Sequence, residues 1–446
     1  SAAYALFARD DRLLTPNGTV KLGDLTEWPH SSSALFPYTP NEVREMENDE
    51  RSTLLAHHNL EVTQAELARC REAVRNGTIW QLAEQRSHAN ARLREAFEWV
   101  IEQLEELDEG PVAESVLRTI SSTNPVRGSA EQFSDDIDSR PHLLHLHALL
   151  AMRWRRPGSW WDGSNDNAER VVILSGAAPP WRDSALGSAI SALSEEPRSI
   201  VLISTPVGLV PFTLEDVSPW CHIECPEDLW NMILDEDEID AWLKDLGVDD
   251  LPLDIHVCQP DLEEEAGGEN RTIIRDWIDR CTIVDKLSLF CGISPSDACK
   301  LTANMSSRRS RTDRMVNVNF KGIHSLSPRL PDGALSLTLE GAKIFHELNP
   351  NPPPKFEDEI PQSELDHTGI PRVLLMDDAI PFVSEGRNVI HGFVLGADPS
   401  LIVGQPCLVV DDKGNLVAHG IANSTSDDMA FFDKGIAVKV RDGISN

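Results

Sequence analysis

Positive charge is scarce in this sequence. Its 446 residues hold 40 Lys and Arg against 73 Asp and Glu, giving a formal net charge of −33. A negative surplus of this size repels nucleic acid at long range. The same bias is typical of proteins adapted to high salt, where screening shortens that repulsion to a few Å. Local positive patches therefore decide whether the chain binds RNA.

Other absences exclude whole classes of protein. No apolar run approaches about 18 residues, which excludes a transmembrane helix. The eight cysteines form no C-x-x-C pair, which indicates the reduced thiols of a cytoplasmic protein rather than a disulfide framework. G-x-S-x-G, Walker and H-E-x-x-H motifs are also missing. The opening SAAYALFARDDR has no signal-peptide layout, so we expect a cytoplasmic protein with no membrane partner and no cofactor.

The patterning predicts a multidomain protein of α/β and α+β type. At about 150 residues per domain, the length suggests about three domains. Short β-branched runs at Arg170–Ser175, Ser199–Ser204 and Leu253–Val257 are typical of strands buried on both faces, with a crossover helix predicted over Ser184–Glu195. After residue 369, short strands separated by glycine predict a β-barrel.

The predicted division has four parts. Thr63 and Glu66 form a capping-box pattern within the first part, which predicts a second helix start after a helix from Thr39 to about Leu55. The proline-rich Asn349–Pro361 predicts a linker. The four parts are a helical segment at 1–108, an α/β domain at 109–262, a small α+β domain at 263–368 and a β-barrel at 369–446.

Two basic clusters stand out against the acidic background. Residues 307–314 (SRRSRTDR) hold four arginines, and residues 153–156 (RWRR) hold three beside a tryptophan. Arginine suits phosphate and stacks on bases, which favours RNA binding. The alternative, about equally favoured, is a surface loop whose arginines pair with nearby carboxylates. The RNA-binding candidates in the first cluster are Arg308, Arg309, Arg311 and Arg314.

Two short runs combine side chains that bind metals. His142 and His145 stand about one helical turn apart, and Cys221, His222 and Cys225 lie within five residues. Neither run has the second pair of ligands that a closed zinc site needs. The pattern therefore favours structural roles for both runs.

Short stretches spread over most of the chain carry a family resemblance. They are Tyr4–Arg12, Leu14–Thr19, Tyr38–Pro40, Leu54–Leu60, Ala73–Gly77, Ser204–Pro211, Leu214–Val217, Gly333–Gly341, Gly386–Val389, Ala397–Pro399 and Phe432–Arg441. Together they resemble the archaeosine synthase and archaeal tRNA-guanine transglycosylase family. The first stretches resemble the end of its TIM-like barrel, and the last resemble its PUA domain, an RNA-binding β-barrel. This resemblance implies four further RNA-binding residues: Arg387, Lys434, Lys439 and Arg441.

The resemblance also implies losses. Most of the family's barrel, with its base-exchange aspartates, corresponds to sequence before Ser1, so we expect a fragment or a shortened protein and assign it no base exchange. Three Cys and one His form the family's structural zinc site. The Cys positions here hold His30, Ser32 and Leu35, which leaves His58 without its Cys partners. Serine and leucine do not replace thiolates, so we expect no metal.

Archaeosine synthase has a motif, P-C-x3-K-P-Y-x2-S-x2-H, that overlays on residues 174–187. The Lys and Cys of this motif are implicated in converting the nitrile of 7-cyano-7-deazaguanine into an amidine. Here Ser175 stands at the Cys, Pro179 at the Lys, Ser184 at the Ser and Gly187 at the His. A nitrile carbon needs a thiolate or a neutral amine as its nucleophile. We therefore expect no intact catalytic residue.

The sequence thus favours a catalytically degenerate family member that binds tRNA. It would act in archaeosine modification as a partner subunit, either to an active paralogue or in a homodimer. The alternative is an active archaeosine synthase or tRNA-guanine transglycosylase whose catalytic barrel lies upstream or on another chain. A third hypothesis is a protein-interaction module whose acidic surface no longer binds RNA.

Overall fold

The computed structural model divides the chain into two compact units, residues 1–122 and 123–446. No helix in the described part of the chain is long and apolar enough to cross a membrane. The residues that the structure describes are 3–30, 32–76, 79–106, 131–132, 137, 140–155, 168–231, 234–258, 268–329, 332–358 and 369–445.

The first unit is mainly helical and contains one β-hairpin. Buried Asn59 ties its parts together: its amide donates to the carbonyls of Tyr4 and Arg12 and accepts from the N–H of Leu14. That this unit is the remnant of a barrel stays a prediction. Its elements are α1 (Ala3–Arg9), β1 (Arg12–Thr15), β2 (Gly18–Lys21), α2 (Pro40–Glu45), α3 (Asn48–Asn76), α4 (Ile79–Ser87) and α5 (Ala91–Glu106).

The helix start predicted at Thr63 is wrong. Thr63 lies inside the continuous helix α3, where its hydroxyl donates to the carbonyl of Asn59 over 2.8 Å. The capping box of this unit is at Thr39 instead, whose side chain and backbone exchange hydrogen bonds with Glu42. The predicted helix from Thr39 breaks at Met46, which has an extended backbone, before α3 begins.

The second unit begins with an α/β layer whose strand order is β6-β5-β4-β8. Strands β4 and β5 are parallel, which confirms the predicted strand–helix–strand crossover. The strands are β3 (Glu131–Gln132), β4 (Arg170–Ser175), β5 (Ser199–Thr205), β6 (Gly208–Pro211), β7 (Ile223–Glu224) and β8 (Leu253–Val257). The helices are α6 (Pro141–Arg153), α7 (Trp181–Ser184), α8 (Leu186–Glu195), α9 (Glu227–Asn231) and α10 (Glu236–Asp245).

Burial on both faces was predicted for three strands and is wrong for β8. This strand lies at the edge of its sheet, and Leu253, Ile255 and Val257 on one of its faces are exposed. The apolar character of the sequence run does not distinguish an edge strand from a central one.

A four-stranded antiparallel sheet with three helices follows, in the order β12-β11-β10-β9. Helices α11 and α13 pack on this sheet around Phe320, Leu326 and Phe345. The elements are α11 (Arg271–Cys291), α12 (Pro295–Thr302), β9 (Met305–Arg309), β10 (Met315–Phe320), β11 (Ile323–Pro328), β12 (Leu335–Leu337) and α13 (Leu339–Leu348).

The C-terminal part is a six-stranded, near-closed barrel sheet in the order β14-β18-β17-β16-β13-β15. Its strand pairs are antiparallel except for β13 and β16. The elements are β13 (Arg372–Leu375), α14 (Ile380–Val383), β14 (Val389–Ile390), β15 (Val394–Ala397), β16 (Pro406–Val410), β17 (Leu416–Ala422), α15 (Ser426–Phe431) and β18 (Ile436–Gly443).

The segment predicted to be a linker at Asn349–Pro361 packs against this barrel over its described residues. Lys355 bridges to Gly396, and the N–H of Phe356 donates to the carbonyl of Leu395 over 3.1 Å. The Phe356 ring also contacts the barrel core. The linker prediction is therefore wrong up to residue 358, and the remaining residues of the segment lie outside the described part.

Candidate nucleic-acid interface and arginine pocket

The C-terminal basic candidates lie at the edge of the barrel sheet where β14 pairs with β18. Lys439 and Arg441 are two positions apart on β18 and both are exposed; Arg441 lies at an irregularity in the pairing of β18 with β17. The N–H of Val440 donates to Asn388 Oδ1 over 3.1 Å, which brings Arg387 beside this part of β18. Residues about 50 positions apart in sequence are therefore neighbours.

Lys434 lies at the other end of the same strand pair. It is exposed and follows Asp433, whose carbonyl accepts the N–H of Gly392 over 3.1 Å. None of the four basic residues takes part in an ion pair within the described part of the chain. We call this set the basic edge; its members are Arg387, Lys434, Lys439 and Arg441.

Aromatic rings that the sequence analysis missed adjoin Lys434. Phe431 is 81% exposed, and its ring centroid lies 5.2 Å from that of Phe432. Phe432 in turn packs edge-on against His391, whose Nε2 lies 2.7 Å from Ser424 Oγ. An exposed ring beside a cation is a surface on which an unpaired base can stack. The Phe-Phe-Asp-Lys run was the sequence signal for it.

The arginine run at residues 307–314 forms the end of β9 and the turn into β10, and the structure divides its members. Arg308 and Arg311 are exposed. Arg309 instead points inward, with its guanidinium 2.5 Å from the buried carboxylate of Asp279. The carboxylate-pairing interpretation thus holds for Arg309, and RNA binding by Arg308 and Arg311 stays a prediction.

The second arginine cluster is largely engaged with the fold. Arg153 donates to the carbonyl of Leu289 over 2.8 Å, and the Trp154 ring is buried. Arg155 donates to backbone carbonyls of its own helix and of Trp154. Arg156 lies outside the described residues.

A cavity of about 70 Å³ lies between α7, α11 and the turn that joins β9 to β10. We call it the arginine pocket. Its lining carries six cations and four carboxylates, a net formal charge of +2 in a chain of −33. None of these ten side chains belongs to an exposed residue. The cations are Arg182, Arg275, Lys286, Arg309, Arg314 and Arg329, and the carboxylates are Glu215, Asp216, Asp279 and Asp313.

Ion pairs neutralise much of this charge. Lys286 is fully buried, and its Nζ lies 2.5 Å from Asp216 Oδ1 and 2.7 Å from Oδ2. A buried ammonium needs such a partner, because leaving it unpaired costs several kcal/mol. Arg182 pairs with Glu215. Burial and the neighbouring Asp216 carboxylate raise the pKa of Glu215 to about 7, although Arg182 acts in the opposite direction.

Other donors in the pocket have no acceptor. The Nε atoms of Arg182 and Arg275 are buried and make no hydrogen bond within the described residues. Each such donor costs about 1–3 kcal/mol when nothing satisfies it. Arg314 lines the pocket and takes part in no ion pair there either. Arg275 and Arg329 also have ion-pair partners, Asp313 and Asp332, so the guanidinium of Arg314 is the part of this lining that remains available to an anion.

The four positions that overlay the archaeosine synthase motif do not line this pocket. Ser175 is 1% exposed, and its hydroxyl is 3.4 Å from the carbonyl of His256. Ser184 donates to the carbonyl of Ala178 over 2.6 Å. Pro179 forms a cis peptide bond with Pro180, and Gly187 is buried in α8. Both hydroxyls are thus engaged with the backbone.

The positions that correspond to the family's zinc site do lie together in the first unit. His58 is buried, with Nδ1 2.8 Å from Ser32 Oγ and Nε2 3.0 Å from the carbonyl of Leu14. Leu35 belongs to the apolar core, and the rings of His30 and His58 are 6.3 Å apart. These residues do not fit a zinc ion, because both nitrogens of the one buried imidazole already have protein partners.

The described residues contain no group of three or more His, Cys, Asp or Glu side chains arranged to hold a metal. Burial raises the pKa values of the Cys221 and Cys225 thiols, which disfavours the thiolate form. The side chains of His142 and His145 lie outside the described residues. A third histidine of that run, His147, accepts a hydrogen bond from the Trp220 indole over 3.1 Å, which gives it a structural role.

Family models match both ends of the chain. The model described as PUA domain matches residues 371–444, and the one described as Queuine tRNA-ribosyltransferase matches residues 1–92. The chain is thus a PUA-domain protein with an N-terminal segment related to the ribosyltransferases.

Curated relatives extend the match over the whole chain. It is 27% identical over 453 residues to a tRNA-guanine(15) transglycosylase of Methanothermobacter thermautotrophicus, covering 99% of this chain and 62% of the relative. It is 29% identical over 461 residues to the Methanocaldococcus jannaschii protein of that name, covering 100% and 62%. The chain thus spans about three fifths of their length. It is homologous to the tRNA-guanine(15) transglycosylases, which confirms the family predicted from its sequence.

Among solved structures, the chain resembles an H/ACA RNP bound to a substrate RNA containing 2′-deoxyuridine. The two are 30% identical over 17% of this chain and 23% of that one, with a TM-score of 0.16. A TM-score this low adds nothing to the fold assignment.

Proposed function

We propose that this chain binds tRNA through the basic edge of its PUA domain. The observation that carries the proposal is the set of four exposed cations, free of ion pairs in the described residues, on one sheet edge of a chain with net charge −33. In so acidic a protein, exposed cations without nearby carboxylate partners mark a surface that attracts phosphates. Arg308 and Arg311 are proposed as further phosphate contacts, because they too are exposed.

The proposed role is in archaeosine tRNA modification, as a partner subunit without its own chemistry. Buried Ser175, with its hydroxyl directed at a backbone carbonyl, supports the loss of the nucleophile, and Pro179 carries no amine. The protein would present tRNA to an active paralogue or act in a homodimer. The four-part domain division at 1–108, 109–262, 263–368 and 369–446 is proposed with it.

The test is tRNA binding over a salt series by the wild type, Lys434→Ala, Lys439→Ala and Lys413→Ala. Lys413 is the matched control, an exposed lysine of the same domain in the turn between β16 and β17. Each edge variant should lower the salt slope by about one, as expected for one lost phosphate contact, and Lys413→Ala should leave it unchanged. Equal slopes for all four proteins would contradict the proposal.

The alternative is an active transglycosylase or archaeosine synthase whose catalytic barrel lies upstream of these residues. Base exchange on tRNA separates the two hypotheses. The partner hypothesis predicts no exchange by this chain alone and tighter tRNA binding when an active relative is added. Exchange by this chain alone would overturn it.

A further inference from the structure

We propose that the arginine pocket binds a phosphate group. The proposal concerns a site separate from the basic edge and does not rest on the proposed tRNA function. Its residues come from the α/β layer, from α11 and from the hairpin of β9 and β10.

The size of the cavity fits this ligand. A buried site needs about 10–15 Å³ for each water molecule that it holds. The cavity of about 70 Å³ therefore holds roughly five waters, the same number of heavy atoms as one phosphate. This space is enough for an oxyanion of phosphate size.

The donors fit as well. Arg182 and Arg275 also line the cavity, where their guanidinium groups pair with Glu215 and Asp313 and hold part of the positive lining in place. Arg314, on the turn side of the pocket, has a guanidinium that no ion pair there engages. Guanidinium groups approach phosphate oxygens with fixed, planar donor pairs, which lysine does not offer. An oxyanion in the cavity would pair with Arg314, the lining arginine that no ion pair engages in the described residues.

The carboxylates of the lining compete with an anion for the arginines, but their negative charge depends on pH. Burial raises the pKa of Asp279, and burial together with Asp216 raises that of Glu215 to about 7. Glu215 faces Asp216, Arg182 and Lys286, so its protonation near neutral pH would leave Arg182 without its carboxylate partner. Anion binding should therefore be coupled to proton uptake by Glu215.

A tRNA backbone phosphate and a free phosphate present the same oxygens to this pocket. Inorganic phosphate and sulfate test whether the pocket binds an oxyanion. Competition by tRNA tests whether that oxyanion is a backbone phosphate. Sulfate keeps two charges across the neutral range, so a change in its affinity with pH reports on the protein alone.

The experiment is calorimetric titration of phosphate and sulfate into the full chain, with ionic strength held constant by chloride. Arg314→Met should weaken binding at least tenfold, and Lys321→Met, which removes an exposed cation from the neighbouring turn between β10 and β11, should not change it. Because Arg314 has no ion pair to lose in the described residues, its variant is expected to fold, which the unfolding midpoint checks. Equal affinities for wild type and Arg314→Met, or no phosphate binding by folded wild type, would overturn the proposal.

Two further arms identify the source. If a tRNA phosphate occupies the pocket, tRNA displaces sulfate and Arg314→Met lowers the tRNA salt slope. If the ligand is a free phosphate, tRNA neither displaces sulfate nor responds to Arg314→Met. Lys439→Ala should leave the affinity of the pocket for sulfate unchanged in either case. Failure of the pocket proposal, seen in sulfate affinity, is therefore distinguishable from failure of the tRNA proposal, seen in the tRNA salt slope.

Discussion

The arginine turn at residues 307–314 and the basic edge of the barrel differ in how visible they are in the sequence. The turn packs four arginines into seven positions, and one of them, Arg309, is held by the buried carboxylate of Asp279. The basic edge is assembled from residues about 50 positions apart, and its cations are all exposed. In an acidic chain, the surroundings of a cation therefore matter more than the local density of cations.

The difference has a simple physical origin. Burying an unpaired carboxylate such as that of Asp279 is costly. The guanidinium of Arg309 pairs with it and is therefore engaged within the fold. The edge strands contribute no carboxylate that pairs with Lys439 or Arg441 in the described residues. Charge on the basic edge thus remains available to a ligand.

The largest effect should come from removing the engaged arginine of the turn. Arg309→Ala leaves the buried Asp279 carboxylate without its ion-pair partner, with the Ser307 hydroxyl still donating to it, and we expect a loss of about 2 kcal/mol in the free energy of unfolding. The value lies below the range for fully buried pairs because Arg309 is 24% exposed. Arg308→Ala, at the exposed neighbouring position, should cost less than about 0.5 kcal/mol. If Arg309→Ala and Arg308→Ala lowered the free energy of unfolding equally in urea or thermal melts, the contrast between the engaged and the exposed arginine would be wrong.

The stability of the second unit should depend on pH because the carboxyl group of Asp285 is buried in it. Burial raises the pKa of Asp285 to about 7, although hydrogen bonds from Thr213 and Trp154 act in the opposite direction. The folded state thus holds this proton more tightly than the unfolded state. Its contribution to stability is greatest below the unfolded pKa of about 3.9 and is lost as the pH rises through 7.

Between pH 6 and pH 8 this loss amounts to about 1 kcal/mol. Asp285→Asn keeps an oxygen acceptor for both donors and cannot titrate. Its melting temperature should therefore fall less than that of the wild type between the two pH values. An equal fall in both proteins would show that Asp285 does not carry the effect.

The smallest predicted effect is on tRNA affinity, and it distinguishes base stacking on Phe431 from phosphate binding by the basic edge. Phe431→Ala should weaken tRNA binding by about 1 kcal/mol, the lower end for one stacked base, because its exposed ring lies close to the basic edge. It should leave the salt slope unchanged, unlike Lys439→Ala, because no phosphate contact is lost. Trp99→Ala, which removes an exposed ring of α5 in the first unit, is the control for surface loss of an aromatic side chain. A change in salt slope with Phe431→Ala would contradict the assignment.

Much of the fold could be predicted from local patterns. Strand β4 begins and ends where its β-branched run does, since a continuous apolar run of this length is typical of a buried strand. The capping pattern at Thr63 misled because threonine inside a helix can donate to the carbonyl four residues earlier, as it does to Asn59. The proline-rich segment misled because composition does not reveal that Phe356 packs on the barrel.

The candidate sites were less predictable. The residues of the basic edge were predicted through family resemblance, and their RNA binding stays a prediction. No local sequence pattern pairs Arg387 with β18. The arginine pocket was invisible, because its residues come from positions as distant as Arg182 and Arg329 and meet only in the folded chain. Which arginines of a cluster are engaged depends on carboxylates supplied by other elements.

The most direct test of the account compares the tRNA salt slopes of two double variants with that of the wild type. Lys439→Ala with Arg441→Ala removes two cations of the basic edge, and Arg308→Ala with Arg311→Ala removes two exposed cations of the turn. The edge variant should lower the salt slope by about two. The turn variant should lower it by about one or less, because the Asp313 carboxylate within the turn weakens its attraction for phosphates. A larger change for the turn variant, with the edge variant unchanged, would contradict the account.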